Sequence, residues 1–288
     1  WLAMIISKTP FRVSLFGGGT DYPKWYHEHG GIVVGAAINK HCYLSVNRLE
    51  PFFDNRYRII WSKVENVNQI REIEHPAARA VLGTMGFHDE SLEISYRADL
   101  PACSGLGTSS AFTVGLLNAL HTLRGRQPPN WELASEAIHI EQNVIKEAVG
   151  SQDQVWAAYG GFNTIEFHRG GGFTVEKMAR VNQKILEQSI MLFFTGFTRM
   201  AWIVAQRQID NIEKSKTLLN EMTAICRDAK QRLSEPGDPI PEIARLLRES
   251  WTRKRRLADG VTNPEIDSIY ETGRKNGALA GKLLGAGG

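Results

Sequence analysis

The chain has 288 residues, 42% hydrophobic and 23% charged, which is typical of a globular protein with a substantial core and excludes a disordered or fibrous chain. The 34 basic and 31 acidic side chains leave a formal net charge of +3, so bulk charge gives no argument for a nucleic-acid partner. No apolar stretch approaches the ~20 residues of a membrane span, and no membrane partner is expected. Three scattered cysteines indicate neither a disulfide framework nor a metal site, and a reducing cytoplasm is the expected location.

Strand patterns dominate the first half of the chain. The stretch FRVSLF at 11–16 alternates in side-chain direction and predicts a strand. Residues 32–37 and 41–46 predict two more strands, with a turn at Asn39 and Lys40 between them. The remaining elements expected before residue 100 are strands at 58–61 and 92–96 and a helix over 76–85.

Helix patterns dominate the second half. Residues 109–123 are apolar on almost every face, which predicts a buried helix, and a second helix is expected over 131–148. Two short strand patterns flank the glycines at 170–172 and predict a hairpin. The later expectations are a strand at 190–195 and helices over 200–233, 240–258 and 265–275. A strand-rich half followed by a helix-rich half predicts an α+β fold of two lobes, with domains at 1–175 and 176–288.

The stretch ACSGLGTSSAF at 102–112 lies directly before the predicted buried helix. The first N–H groups of a helix lack partners and carry partial positive charge, and Gly105 and Gly107 allow backbone to approach an anion closely. Thr108 and the next two serines add hydroxyls that bind phosphate oxygens or Mg²⁺. A simple N-cap is the alternative, but it leaves both glycines unexplained, so a phosphate loop is favoured. The stretch matches neither a Walker A loop nor a dinucleotide fingerprint.

A glutamate falls on the apolar side of the second predicted helix. Glu141 lies at helical spacing with Ala137, Ile138 and Val144. An inward carboxylate is costly unless it is paired or binds a metal. An internal ion pair is the alternative to a Mg²⁺ site that Glu141 shares with Ser109, a ligand set that suits a nucleotide-bound ion.

Two further stretches carry carboxylates beside glycines or glutamines. Asp153 lies between two glutamines in GSQDQ, where a capping aspartate is the ordinary interpretation. In the stretch RVSLFGGGTD, a predicted strand is followed by three glycines, Thr20 and Asp21. The glycines fit either a tight turn or a backbone that leaves room for a polyol substrate. In the second case Asp21 accepts hydroxyl protons, and Arg12 projects from the strand into the same region.

Together these stretches resemble the motifs of the GHMP kinases. PFRVSLFGGGTDY is similar to the first motif of that family, PACSGLGTSSA to the second and LLGAGG at 283–288 to the opening of the third. The chain ends inside this third motif, so a truncated C-terminal domain is expected. The resemblance implies the α+β two-lobe GHMP kinase fold, with the active site in the cleft between the lobes.

The resemblance also implies roles for individual residues in an ATP-dependent sugar kinase. Asp153 and Arg12 are implied as catalytic residues, and Ser109 and Glu141 as ligands of Mg²⁺. The implied ATP-phosphate ligands are Cys103, Ser104, Gly105, Leu106, Gly107, Thr108, Ser109 and Ser110. The implied sugar ligands are Gly17, Gly18, Gly19, Thr20 and Asp21.

Within the family, GGGTDYPKWYHEHGG is most similar to the bacterial kinases of D-glycero-D-manno-heptose 7-phosphate, which act at the anomeric hydroxyl in heptose activation for surface polysaccharides. Gly18 and Gly19 replace the Glu-His pair of galactokinase and leave room for a larger or phosphorylated sugar. A galactokinase-like or fucokinase-like enzyme and a non-catalytic sugar and ATP sensor are the alternatives. Weaker candidates are Trp61–Lys63 for the adenine and Lys8, Lys24, His27, His41 and Arg169 for the sugar phosphate.

Overall fold

The structure is a computed structural model that describes residues 4–178, 180–196 and 201–287. Its central feature is a sheet with the strand order β4-β3-β5-β2-β6-β7, and β1 pairs with β2 off this path. The strands are β1 (Ile5–Phe16), β2 (Gly31–Arg48), β3 (Tyr57–Ile60), β4 (Val64–Val67), β5 (Leu92–Ala98), β6 (Phe162–Phe167) and β7 (Phe173–Lys177).

The long strand β2 organises this sheet. Residues 31–36 pair with β6, residues 42–48 pair with β5, and β1 runs antiparallel to β2 on the other side. Because β1 bulges after Pro10 and again after Ser14, the simple alternation along it is broken. Arg12 and Ser14 are both buried, as are Phe11, Leu15 and Phe16, whereas Val13 between them is only partly buried.

Helices cover the sheet. Helix α3 packs against β1 and β2 as well as against α2, α4 and α5, and α8 packs against β1, β2 and α9. No helix of the described residues is long and apolar enough to cross a membrane. The helices are α1 (Pro23–His29), α2 (Pro76–Thr84), α3 (Thr108–Leu123), α4 (Asn130–His139), α5 (Gln152–Tyr159), α6 (Arg180–Ser189), α7 (Ala201–Asp210), α8 (Lys216–Ser234), α9 (Ile240–Lys254) and α10 (Pro264–Lys275).

Most predicted elements are confirmed within a few residues, including the glycine hairpin between β6 and β7. The buried helix predicted over 109–123 is α3, whose side chains are buried around most of its circumference. Its apolar residues lie in the core between the sheet and helices α2 and α4. The strand-rich first half and helix-rich second half are also confirmed.

Four predictions about elements are wrong. The turn at Asn39 and Lys40 does not exist, because β2 continues through both residues. Residues 190–195 form no strand, and their large apolar side chains are exposed. The helix expected over 131–148 is α only to His139, continues as a π-helix over Ile140–Val144 and then ends. The helix expected over 200–233 is divided into α7 and α8, and residue 200 lies outside the described residues.

Candidate active site

The loop before α3 has the backbone of an anion cradle. Gly105 and Gly107 have left-handed φ angles of +77° and +74°, and a Cβ at Gly105 would lie 2.7 Å from the carbonyl oxygen of Leu284. Gly107 directly precedes the first turn of α3, whose N–H groups need acceptors. The hydroxyl of Ser104 is buried without a hydrogen-bond partner. A phosphate group supplies the acceptor and the charge that such a loop lacks.

Cys103 also has a left-handed backbone, with φ at +59°. This conformation favours glycine and costs other residues about 1 kcal/mol or more. Cys103 is exposed. The structure therefore explains why a glycine suits this position, and nothing in the described part of the chain explains the thiol.

Arg12 and Asp153 form a bidentate ion pair next to this loop. Arg12 donates from Nε and NH2 to the two carboxylate oxygens of Asp153, each at 2.7 Å, and from NH1 to the carbonyl oxygen of Gly105 at 2.7 Å. A Cβ at Gly107 would lie 3.4 Å from the Asp153 carboxylate. The side chain of Asp153 keeps 25% of its surface exposed, against 5% for Arg12. The pair thus places an accessible carboxylate directly beside the phosphate loop.

Gln152 connects this pair to the glycine loop after β1. Its amide donates to Asp21 Oδ2 at 2.8 Å, and its Oε1 accepts from the hydroxyl of Ser14 at 2.7 Å. Asp21 also accepts from the backbone N–H of Gly19 at 2.9 Å. A Cβ at Gly150 would lie 1.9 Å from Asp21 Oδ2, so the close approach requires glycine there. Asp21 is therefore held in one orientation from three sides.

Glu141 is fully buried in the π-helical turn and faces the start of α3. One carboxylate oxygen accepts from the hydroxyl of Ser110 at 2.8 Å and from the amide of Gln154 at 2.5 Å. The other carboxylate oxygen and the amide oxygen of Gln154 are buried without hydrogen-bond partners. Two unsatisfied oxygens beside a buried carboxylate favour a cation, because each orphan acceptor is costly to bury.

Burial also raises the pKa of the two buried carboxyl groups, Glu141 and Asp21. Desolvation raises the pKa of Glu141 to about 7, opposed by the nearby hydroxyl of Thr113 and by the hydrogen bonds from Ser110 and Gln154. Desolvation likewise raises the pKa of Asp21, opposed mainly by the N–H of Gly19. A bound cation favours the charged form of such a group, so both sites are suited to positively charged or hydrogen-bond-donating ligands.

The predicted site residues separate into those that the structure brings together and those that it does not. Arg12, Asp153 and the phosphate loop are in direct contact, and Asp21 joins them through Gln152. Ser110 rather than Ser109 bonds to Glu141, and the Ser109 side chain is exposed. The assignment of Ser109 to a metal therefore remains a prediction.

The glycine loop after β1 is closely packed. A Cβ at Gly17 would lie 1.9 Å from the carbonyl oxygen of Ile32, so the loop folds against β2. Thr20 is completely buried, and its hydroxyl donates to the carbonyl oxygen of Gly17 at 2.8 Å. Thr20 thus holds the loop in shape. A Cβ at Gly18 would meet three polar side-chain atoms at the ordinary van der Waals distances of 3.7–3.9 Å.

Three side chains of this site have no role in the sequence-based prediction: Gln152, Gln154 and Lys254. The sequence does carry a signal for the first two, since alternate residues of QDQ at the start of a helix flank the predicted catalytic carboxylate. Lys254, by contrast, lies in a basic run at 253–256 that is typical of a solvated helix face. Its side chain is instead buried.

The weaker candidates lie in other contacts. His41 is 3.7 Å from Asp99, and Lys24 donates to the carbonyl oxygen of Ile209. Trp61 donates to Glu65 and packs edge-on against His75, whose ring stacks on Phe112 of α3. An aromatic group beside the first turns of α3 keeps the adenine prediction for Trp61 open.

A glycine loop at a helix N-terminus, an arginine–aspartate pair and a second buried aspartate lie together, and this arrangement is suited to phosphoryl transfer. The sequence matches two family models, "GHMP kinases N terminal domain" over residues 70–161 and "GHMP kinases C terminal" over residues 224–288. The chain belongs to the GHMP kinase family, as its motifs indicate, and it is a kinase with the fold of that family.

Known relatives share nearly the whole chain. The D-glycero-alpha-D-manno-heptose 7-phosphate kinase of Campylobacter jejuni is 30% identical over 98% of this chain and 86% of its own length. The crystal structure of a D-glycero-D-manno-heptose 1-phosphate kinase from Bacteroides thetaiotaomicron aligns with a TM-score of 0.78 and 26% identity, covering 98% of this chain and 86% of that one. The L-fucokinase/L-fucose-1-P guanylyltransferase of Bacteroides fragilis is 24% identical over 99% of this chain, but only 34% of that longer protein is covered.

Proposed function

We propose that the protein transfers the γ-phosphoryl group of ATP to the anomeric hydroxyl of D-glycero-D-manno-heptose 7-phosphate. The observation that carries this proposal is the contact of the Arg12–Asp153 pair with Gly105, together with the hydrogen bond from Gln152, the chain neighbour of Asp153, to Asp21. These bonds link the predicted nucleotide-phosphate loop to the proposed acceptor-side carboxylate. The heptose phosphate named for two relatives supports the choice of sugar. The reaction is assigned to the cytoplasm, in nucleotide-activated heptose and surface polysaccharide synthesis.

In this proposal the phosphate loop and the N-terminus of α3 hold the nucleotide phosphates. The buried hydroxyl of Ser104 and the first N–H groups of α3 are available as donors. Phosphoryl transfer depends mainly on positioning and on electrostatic stabilisation. Arg12 stabilises negative charge beside Gly105, and Asp153 orients the acceptor hydroxyl and accepts its proton.

A magnesium ion fits at Glu141. The partnerless carboxylate oxygen, with the amide oxygen of Gln154 nearby, offers the oxygen ligands that this ion prefers. Ser109, on the same first turn of α3 as Ser110, is the hydroxyl that remains free to join it. When bound, the ion neutralises charge on the β- and γ-phosphate oxygens. Glu141 would hold the ion, and hydrogen bonds from Ser110 and Gln154 would orient the Glu141 carboxylate.

The acceptor side consists of Asp21 and the glycines before it. Asp21 accepts hydroxyl protons of the sugar, and its orientation comes from Gln152 and Gly19. The nearest atoms to the position where a Cβ of Gly18 would lie are polar side-chain atoms at 3.7–3.9 Å. The absence of side chains at Gly18 and Gly19 supports an acceptor that is bulkier than galactose, including a sugar phosphate.

A fucokinase activity is the second candidate, favoured by the similarity of nearly the whole chain to a bifunctional fucokinase. The decisive experiment measures ADP release with heptose 7-phosphate, heptose, galactose, fucose and mannose as acceptors. The proposal expects kcat/KM for heptose 7-phosphate to exceed the others by at least about tenfold, which corresponds to about 1.4 kcal/mol of transition-state binding. A preference for fucose would replace the proposal, and ADP release that no sugar accelerates would indicate a sensor.

A further inference from the structure

The ammonium of Lys254 lies between two glycine loops of the active site. Lys254 is the last residue of α9 and only 5% exposed. Its Nζ donates to the carbonyl oxygen of Gly285, and a Cβ at Gly285 would lie 2.9 Å from the Cα of Gly105 in the phosphate loop. The same Nζ is 3.9 Å from the Cβ position of Gly18 in the acceptor loop. Lys254 therefore faces both the nucleotide side and the acceptor side.

The space over Gly18 is lined by polar atoms. From the position that a Cβ would occupy, the nearest atoms are Gln152 Nε2 at 3.7 Å, Ser14 Oγ at 3.8 Å and Lys254 Nζ at 3.9 Å. All three side chains are buried. The hydroxyl of Ser14 already donates to Gln152. The amide of Gln152, which carries a second N–H, and the ammonium of Lys254 provide the hydrogen-bond donors and the positive charge that a phosphate oxygen requires.

Further positive charge lies behind this space. Lys282 is buried and donates to the carbonyl oxygens of Ser14 and Leu15 at 2.8 and 3.0 Å. Among the residues that the structure describes, no carboxylate lies within 4.0 Å of its ammonium. Desolvation, followed by repulsion from Lys254 and Arg12, lowers the pKa of Lys282. An anion bound at Lys254 would offset that repulsion.

We infer that Lys254 binds a phosphate group of a substrate in the space over Gly18, beside Ser14 and Gln152. The inference rests on the proposed kinase function and extends it with a phosphate-binding residue. The group is a phosphate monoester or the end of a polyphosphate. Its source is the acceptor's own phosphate or the terminal phosphate of the nucleotide, because Lys254 lies beside Gly18 and bonds to Gly285, which packs against the phosphate loop at Gly105.

The test is isothermal titration of three ligands into wild type and Lys254→Met: heptose 7-phosphate, unphosphorylated heptose and the non-hydrolysable ATP analogue AMPPNP with Mg²⁺. Methionine keeps the apolar stem and removes the charge. Losing one charge-assisted hydrogen bond is expected to raise one Kd about 10- to 100-fold. Lys254→Arg, which keeps the charge, is expected to recover most of the affinity, and Lys275→Met on the exposed face of α10 is the matched control.

The ligands whose Kd rises in Lys254→Met identify which phosphate group Lys254 binds. Weaker binding of heptose 7-phosphate alone assigns Lys254 to the acceptor's phosphate, and weaker binding of AMPPNP alone assigns it to the nucleotide. Unchanged affinities for all three ligands overturn the inference. Equal weakening of all three with a lower Tm also overturns it, since that result describes a structural lysine. If the ligands bind but no sugar is phosphorylated, the kinase function is rejected. The titrations then still show whether Lys254 binds a phosphate group.

Discussion

Arg12 holds both carboxylate oxygens of Asp153 at 2.7 Å while its third nitrogen bonds to the backbone of Gly105. This one guanidinium joins strand β1, helix α5 and the phosphate loop. Planar pairing of a guanidinium with a carboxylate fixes orientation as well as distance. The Asp153 oxygens therefore keep a defined position relative to the glycine loop before α3.

Replacing the catalytic carboxylate is the first test of this arrangement. Asp153→Asn retains the shape and one acceptor for Arg12 but cannot take a proton. We expect kcat to fall about 10²- to 10⁴-fold, while the KM for ATP stays within about threefold because the phosphate loop is untouched. Steady-state kinetics would decide, with Asp228→Asn on the exposed face of α8 as the control. Near-normal kcat in Asp153→Asn would remove Asp153 from the mechanism.

Gln152 is expected to act as a positioning residue for Asp21. Gln152→Leu removes a hydrogen bond to a charged group and leaves Ser14 without its acceptor. A bond of this type contributes about 1.5–3 kcal/mol, so the KM for the sugar should rise about tenfold or more with a smaller change in kcat. The KM for ATP should not change. A loss of kcat for every substrate together with a lower Tm would indicate a general structural role instead.

Glycine at position 150 is expected to be indispensable. In Gly150→Ala the new methyl group would lie 1.9 Å from Asp21 Oδ2, so Asp21 has to move. We expect a loss of about 1–3 kcal/mol in stability and weaker sugar binding. Gly83→Ala in α2 is the matched control, because its methyl group meets nothing closer than 3.9 Å, and alanine there should stabilise by up to about 1 kcal/mol. Equal unfolding midpoints for the two variants would contradict the crowding at Gly150.

The buried Glu141 predicts a pH dependence of the metal-free protein. Desolvation raises its pKa from 4.5 to about 7 in the folded state, so the native protein holds a proton that the unfolded chain has released. The contribution of this proton to the free energy of unfolding is complete below the pKa of Glu141 in the unfolded chain, and it is lost as the pH rises through about 7. Between about pH 5 and pH 8, the Tm of wild type should fall relative to Glu141→Gln. Parallel Tm curves for the two proteins would show that Glu141 does not titrate in this range.

The effect of Mg²⁺ follows from the same titration. The ion favours the ionised carboxylate, so added Mg²⁺ should restore the Tm of wild type most strongly above about pH 7. Glu141→Gln should show little of this response because the amide carries no charge. A restoration of equal size in both proteins would place the ion elsewhere.

Local patterns in the sequence were sufficient to predict the glycine loop before α3, the buried helix behind it and the inward position of Glu141. Each of these features depends on a contiguous stretch whose glycines, hydroxyls or apolar spacing act over a few residues. Local patterns gave the wrong structure where pairing with a distant strand determines the backbone conformation. Asn39 and Lys40 look like a turn but continue β2, because β1 pairs with the strand on both sides of them.

The sequence by itself determined which residue types are available to bind phosphate, metal and sugar, since the chemistry of side chains does not depend on the fold. Only the tertiary structure decided which of them touch. Gln152 reaches Asp21 across 131 residues, and Arg12 reaches Asp153 across 141. These contacts arise from the bulges of β1 and the packing of α5 against it. The burial of Lys254, in a run that looks solvated, likewise follows from how α9 packs against the sheet, and no local pattern records such packing.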